Sequence, residues 1–401
     1  MDPFFALFEH MLKDKPSEGF VRRGLMDEIG DPEGLVCIRG ERGVGKTRFL
    51  LDYAEEKCRG KVCLYASLNY FYFSVHTLYS FAAAFVRRHG GEVLLLDQVY
   101  KYPGWAEELQ RIHKDFGELC ILFTTSSVMN DAEDFRRLGG EVRVYELPGF
   151  SFREYLSVRH RIDLPRLSPK EILTDPERCM GAIPEGLTAR EQIDAYVHGG
   201  GYYPPAGSYF SPRGVSLSDE ELVKHLNMLL EVDVVYIRQI DPGYLPKLRQ
   251  LLYTIANSEE TPKQNVSRLS EQLGISRATV MNYIRHLSDA GLIRLLYKSG
   301  ESEGTKKPIS IYVGNPCILS SLTLETPDPR MVSASFLLSH LSGLRCPVTV
   351  PYPAKDLWVF RLGDEGMIRL DEAGSVWVHE GGDERGTDEK EVPLQLFGFI
   401  Y

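Results

Sequence analysis

The chain has 401 residues, of which 43% are hydrophobic, 25% charged and 11% aromatic. That is the composition of a folded globular protein with material for more than one core, and such a length divides into about two to four domains. A formal charge of −10 argues against a protein whose whole surface grips nucleic acid, but it leaves room for one basic module.

No apolar run reaches the roughly eighteen residues that a membrane-spanning helix needs. The N-terminus, Met1-Asp2-Pro3-Phe4-Phe5, continues into Glu9, Lys13, Asp14 and Lys15 and lacks the pattern of a secretion signal. Both features predict a cytoplasmic protein without a membrane partner. Of the seven cysteines, Cys58 and Cys63 form the one close pair. No second Cys/His pair at zinc-site spacing accompanies them, so reduced thiols and no structural metal are expected. Charge is uneven: Gly243–Gly300 holds eight Lys/Arg against four Asp/Glu, whereas Asp364–Glu391 is dominated by acids. Separate domains with separate faces follow from that difference.

In chain order, the apolar run Gly34–Ile38 reads as a strand, Arg39–Gly45 as a glycine-rich turn, and Thr47–Cys58 as a helix. Further strands are expected at Val62–Ser67, Gly91–Leu96, Leu119–Thr124 and Val142–Leu147, with helices at Thr77–His89 and Trp105–Phe116. This alternation predicts an α/β fold with a parallel sheet. From Ser151 the alternation stops. Phe152–Arg161 and Asp219–Leu230 read as helices separated by a Gly- and Pro-rich stretch, and three short helical patterns fill Tyr244–Ala290. Strand-like runs follow at Leu292–Tyr297 and Ile309–Val313. Beyond Pro316 come a helix at Val332–Leu341 and runs at Asp356–Leu362, Met367–Leu370 and Ser375–His379.

Gly40-Glu41-Arg42-Gly43-Val44-Gly45-Lys46-Thr47 fits G-x-x-x-x-G-K-[ST], followed by Arg48. The glycines let successive N–H groups curl around phosphate oxygens, and the following helix aims its positive end at the same anion. Lys46 supplies charge near the β- and γ-phosphates, and the Thr47 hydroxyl is a ligand for Mg²⁺. Asp97, at the end of the apolar run Val93–Leu96, is the expected second acidic partner of that ion. The pattern predicts ATP or ADP with Mg²⁺, bound by Gly40 through Arg48 with Thr47 and Asp97 as metal ligands. The next position, often a glutamate, is Gln98; an amide can orient water but cannot take its proton.

The run Leu95-Leu96-Asp97-Gln98-Val99-Tyr100-Lys101-Tyr102-Pro103-Gly104-Trp105 resembles the "DEVHKYPNW" segment of a prokaryotic AAA+ ATPase family. Tyr65-Ala66-Ser67-Leu68-Asn69 is similar to that family's "YxSLD", Ile121–Ser127 to "IxFTGSS", and Val144–Leu156 to "VYELPGLSFREYL". Gly201-Tyr202-Tyr203-Pro204 and Leu230-Glu231-Val232-Asp233 match its lid, and Pro393–Tyr401 its closing "PLWLFGFLY". The resemblance implies an AAA+ core over residues 1–155, a helical lid over 156–240, a winged helix over 241–315 and a small α+β, restriction-endonuclease-like domain over 316–401. It also implies Ser126 as a sensor of the γ-phosphate and either Arg136 or Arg137 as an arginine finger. Asn69, Gln98, Tyr100 and Thr125 stand where the family has Asp, Glu, His and Gly, which implies nucleotide binding with weak turnover.

Asn265–Leu273, Gly274-Ile275-Ser276 and Arg277–Asp289 read as helix-turn-helix, with Leu292–Val313 as the wing. Arg277, Thr279, Asn282 and Arg285 could then face a major groove. Duplex DNA and a protein client both remain open as partners, and the oligomeric state is not legible. In the tail Ala354-Lys355-Asp356-Leu357 keeps an aspartate of the relatives' "KGDF", but His379 replaces the later glutamate and no lysine follows. Metal-dependent cleavage needs paired acids around its cation, so the tail is expected to be non-catalytic. Three functions stay open: a nucleotide-dependent conformational switch with slow hydrolysis, a DNA-binding regulator with a structural nucleotide, and a slow conventional ATPase.

Overall fold

The computed structural model describes residues 1–14, 21–31, 33–129, 135–140, 142–198, 201–203, 219–258, 265–298, 307–323, 326–342, 348–349, 358–362, 366–370, 375–379 and 389–401. Asp134, Gly199, Gly200, Pro204, Pro205, Cys346, Lys355, Asp356, Glu380–Asp383 and the expected wing tip lie outside them. The chain divides into two compact units, Met1–Leu147 and Pro148–Tyr401.

The first unit is an α/β layer structure. Strands β1 (Leu35–Gly40), β2 (Cys63–Ser67), β3 (Val93–Asp97), β4 (Cys120–Ser126) and β5 (Val142–Glu146) form one sheet in the order β2-β3-β4-β1-β5. Every neighbouring pair is parallel. All residues of the inner strands β3 and β4 are buried, as strands covered on both faces must be, whereas the edge strand β5 is half-buried. Helices α1 (Asp2–Lys13), α2 (Leu25–Ile29), α3 (Lys46–Lys57), α4 (Leu78–His89) and α5 (Trp105–Asp115) flank the sheet. Thr77 caps α4 by accepting the Ser80 N–H, and Gly90, at φ +65°, ends it in the left-handed conformation.

Helix α1 has no counterpart among the elements expected from the sequence. Its Phe4, Phe5 and Phe8 recur at helical spacing. Phe8 stacks on Tyr65 of β2 with ring centroids 6.3 Å apart, and Phe4 meets Phe81 of α4 edge-on at 4.9 Å. The aromatic contacts that fix this helix are to distant residues, which a local reading does not supply.

In the second unit α6 (Phe152–His160) opens with a capping box: the Ser151 hydroxyl accepts the Glu154 N–H, and the Glu154 carboxylate accepts the Ser151 N–H. Three helices follow where the sequence suggested only an irregular stretch: α7 (Pro169–Thr174), α8 (Pro176–Gly181) and α9 (Arg190–His198). The first two begin with proline and have just six residues each, too short to show an apolar period. Helix α10 (Asp219–Met228) does not end at Leu230; it continues as a π-helical segment, Leu229–Tyr236.

Helices α11 (Leu245–Ala256), α12 (Val266–Leu273) and α13 (Arg277–Asp289) lead into an antiparallel hairpin of β6 (Ile293–Leu296) and β7 (Ser310–Val313). Asn265 caps α12 and Ser276 caps α13. Helices α14 (Pro316–Leu322) and α15 (Pro329–Ser342) follow. The strands β8 (Val348–Thr349), β9 (Trp358–Leu362), β10 (Gly366–Leu370), β11 (Val376–His379) and β12 (Glu389–Val392) then form an antiparallel meander in sequence order. The last turn, Leu394–Phe399, returns to α6. There the Ser151 hydroxyl and Arg153 Nε donate to the Tyr401 carbonyl oxygen at 2.8 and 2.9 Å.

Candidate functional site

The sheet order places β1 between β4 and β5, so the chain leaves β1, crosses to β2 and steps back strand by strand. In open parallel sheets, ligands sit beyond the carboxyl ends of the strands at such a switch point. The residues singled out by the sequence gather at that edge. Register pairs Gly40 with Ser126 and Ser67 with Asp97.

The loop after β1 is built for close backbone approach. Gly43 and Gly45 adopt φ +84° and +96°, which side-chain-bearing residues rarely tolerate. Gly40 is constrained differently: a Cβ there would lie 2.5 Å from the Leu147 carbonyl oxygen. The loop is braced from behind by Arg23, a buried side chain whose Nη1 donates to the Val44 carbonyl at 3.1 Å. At the start of α3 the Lys46 ammonium donates to the carbonyls of Gly40 and Glu41 at 2.8 and 2.7 Å. It therefore lies across the loop's mouth. Glu41 is buried, Arg42 half-buried, and Arg48 turns along α3 to pair with Asp52 at 2.9 Å.

Asp97 is 1% exposed and carries three hydroxyl donors. Thr47 Oγ1 and Tyr65 Oη donate to Oδ2 at 2.7 and 2.9 Å, and Thr124 Oγ1 donates to Oδ1 at 2.5 Å. Burial, together with the Asp97 charge, pushes the Tyr65 phenol far above its ordinary range, so it remains a donor. The adjoining hydroxyl and carboxylate of Thr47 and Asp97 are oxygen donors, the set that a hard cation such as Mg²⁺ takes. The residues present thus fit a metal-bound phosphate.

Gln98 follows with φ +55°, a left-handed conformation uncommon outside glycine, and its N–H donates to Thr124 Oγ1 at 2.8 Å. Thr124 therefore ties Asp97 and Gln98 to β4. Ser126, at the end of β4, is buried beside the Ser127 N–H that donates to the Gly40 carbonyl at 3.2 Å. Two hydroxyls at this edge, Thr125 Oγ1 and Ser127 Oγ, are buried without a hydrogen-bond partner, a costly condition that a polar ligand would relieve.

Arg136 and Arg137 are exposed, and Arg137 Nη1 pairs with Glu107 of α5 at 2.8 Å. Tyr65, Thr124 and Arg23 carry structure at the site that the sequence reading did not assign. The first two lie inside the "YxSLD"-like and "IxFTGSS"-like segments, so a signal existed. For Arg23, 21 positions from its partner, there was none.

Residues 32–156 match a family model described as an AAA domain. Residues 190–327, from α9 to beyond α14, match a second, described as a domain of unknown function (DUF8612). No curated protein matches the chain. A solved structure of NtrX from Brucella abortus, in complex with ADP, is similar over 71% of this chain and 72% of that one, at 14% identity and a TM-score of 0.26. The parallel five-stranded sheet, its glycine-rich loop and the family match agree, and residues 32–156 carry an AAA-family domain.

Proposed function

We propose that the chain binds ATP with Mg²⁺ at Gly40–Arg48 and uses its occupancy as a conformational switch, hydrolysing it slowly. The observation that carries this reading is the meeting of loop, Thr47 hydroxyl and Asp97 carboxylate at one strand edge. The loop amides and the α3 N-terminus would hold the phosphates, Lys46 would turn from its carbonyls to the anion, and Thr47 and Asp97 would hold the ion. The metal would neutralise charge developing on the phosphoryl oxygens. Gln98 would orient water without deprotonating it, and Ser126 would meet the γ-phosphate from β4. Arg137 is the candidate finger, although a second copy would have to present it or its Glu107 pair would have to open. A switch requires that ATP bind one arrangement of the chain better than another.

Within the second unit we propose residues 156–240 as a lid, 241–315 as a winged helix and 316–401 as a non-catalytic C-terminal domain. The three helices and hairpin of Leu245–Val313 support the winged-helix reading, and Arg277, Asn282 and Arg285 are exposed along α13. That exposed basic row favours duplex DNA over an acid-poor protein surface as the partner. A titration of ATP, with hydrolysis measured in the presence and absence of duplex DNA, tests the whole reading. Mg-dependent binding with turnover below about one per second supports it, since ordinary enzymes turn over at about 1–10³ per second. Fast, DNA-independent turnover would overturn the switch, and retention on DNA that does not weaken with salt would overturn the DNA partner.

A further inference from the structure

Asp97 is held by a side chain that is itself held from outside the sheet. Tyr65 lies on β2 opposite Leu95 of β3, two residues before Asp97. Two residues of parallel strand span about 6.6 Å, a distance that a phenol bridges and a serine or threonine hydroxyl does not. Tyr65 Oη accordingly donates to Asp97 Oδ2 at 2.9 Å, and the residue is 3% exposed. The same ring stacks on Phe8 of α1, with centroids 6.3 Å apart and planes inclined by 23°. Phe8 is the one fully buried residue of that helix. Phe4 and Phe5 are half-buried: Phe4 meets Tyr72 and Phe81 edge-on at 5.0 and 4.9 Å, and Phe5 lies tilted against Phe85 at 6.2 Å. A helix that buries one side chain and rests on aromatic rings opens at lower cost than the sheet beneath it.

We propose, on the reading of Gly40–Arg48 and Asp97 as a Mg-ATP site, that Tyr65 is a positioning residue for the cation and that docking of α1 sets the affinity for metal-bound nucleotide through it. Hydrogen bonds to a metal-binding carboxylate fix its orientation, and loss of one such partner typically lowers metal affinity about 10- to 100-fold. Three hydroxyls donate to Asp97. Thr47 would itself become a ligand, and Thr124 is buried within β4. Tyr65 is the partner whose ring leans on a separate element. With α1 docked, Phe8 backs the ring and the phenol stays seated on Asp97. With α1 undocked, the space left by Phe8 frees the ring, and the carboxylate loses a donor. Coupling of this kind is reciprocal, so bound metal-nucleotide favours the docked helix by the same factor.

Titration of Mg²⁺ into the full chain at fixed ATP, followed by calorimetry, reads the coupling. Tyr65→Phe keeps the ring and its stack and removes the hydroxyl. It should raise the Mg²⁺ concentration for half-saturation about tenfold and leave ATP affinity in EDTA unchanged, whereas a merely structural loss would weaken both. Phe8→Leu should raise the Mg²⁺ requirement about threefold. The double variant should be no worse than Tyr65→Phe, because both changes act through one hydroxyl. Hydrogen exchange on wild type needs no variant to fold: ATP with Mg²⁺ should slow the α1 amides, and ATP in EDTA should not. A wild type that binds no ATP with Mg²⁺ would overturn the nucleotide site and the coupling with it. Where wild type binds Mg-ATP, the coupling alone is overturned by an unchanged or lowered Mg²⁺ requirement in Tyr65→Phe, by losses that add in the double variant, or by α1 amides indifferent to Mg-ATP.

Discussion

The Thr47 hydroxyl donates to Asp97 Oδ2 at 2.7 Å, across 50 positions of sequence, joining the first turn of α3 to the carboxyl end of β3. Two groups suited to one cation therefore touch within the folded domain. Tyr65 and Thr124 donate to the same carboxylate and hold it in place, so little reorganisation is needed to receive an ion.

Asp97→Asn keeps the shape but removes the charge and supplies an NH₂ to hydroxyls that now donate. Affinity for ATP in the presence of Mg²⁺ should fall at least about tenfold, equivalent to about 1.4 kcal/mol, while affinity in EDTA should change little. Titrations with and without Mg²⁺ decide it. Equal losses in both would mean that Asp97 supports the fold rather than the ion.

Gln98 sits at the end of β3 with left-handed backbone, directly after the buried acid. Gln98→Glu should raise the ATPase rate by roughly tenfold, about 1.4 kcal/mol off the barrier, because a carboxylate can deprotonate the water it orients. Asn69, Tyr100 and Thr125 also differ from the resembled pattern, so the full benefit of a general base is not expected. An unchanged rate in the variant, beside a wild type that already turns over several times per second, would show that another group activates water.

His340 governs a separate, acid-sensitive joint in the second unit. Its Nε2 accepts the Phe152 N–H at the start of α6, and its Nδ1 donates to the Phe336 carbonyl at 2.7 Å. Burial lowers its pKa from 6.5 to about 4, against a smaller raising effect of the Phe336 carbonyl. The folded-state value lies below the unfolded one, so the unfolded chain binds the proton first. Stability is intact above about 6.5 and is lost as pH falls toward 4, by about 3 kcal/mol over the full window. The melting temperature of wild type should drop between pH 7 and pH 5 by more than that of His340→Gln, and equal drops would contradict the assignment.

Much of this arrangement was legible in the sequence because its signals are local. Gly40–Thr47 has its chemistry in consecutive residues, and β3 announces itself by an unbroken apolar run ending in Asp97. What escaped depends on contacts between distant residues. Helix α1 is held by Tyr65 and Phe81, Arg23 reaches Val44 from another element, and α7 and α8 are too short to show a period. The π-helical continuation of α10 was also hidden, since an apolar run such as Leu229–Val235 looks the same whichever carbonyl its N–H groups choose.

Gly40→Ala probes the loop without altering charge. The new methyl would meet the Leu147 carbonyl oxygen at 2.5 Å, so backbone must move, and overpacking of this kind costs about 1–3 kcal/mol. A lower melting temperature together with lost ATP binding is expected. Retention of both would show that the loop is not held against Leu147 as described.

The central claim is that a nucleotide binds at the loop, and thermal unfolding of wild type and Lys46→Ala with and without millimolar Mg-ATP tests it most directly. A ligand at a hundred times its Kd contributes about 2.7 kcal/mol of stability, a readily measured rise in melting temperature. Lys46 makes its hydrogen bonds to loop carbonyls rather than core packing, so Lys46→Ala should melt near wild type without nucleotide and lose the ATP-dependent rise. A wild type whose melting temperature does not move with Mg-ATP, or a Lys46→Ala variant that gains as much as wild type, would contradict the account.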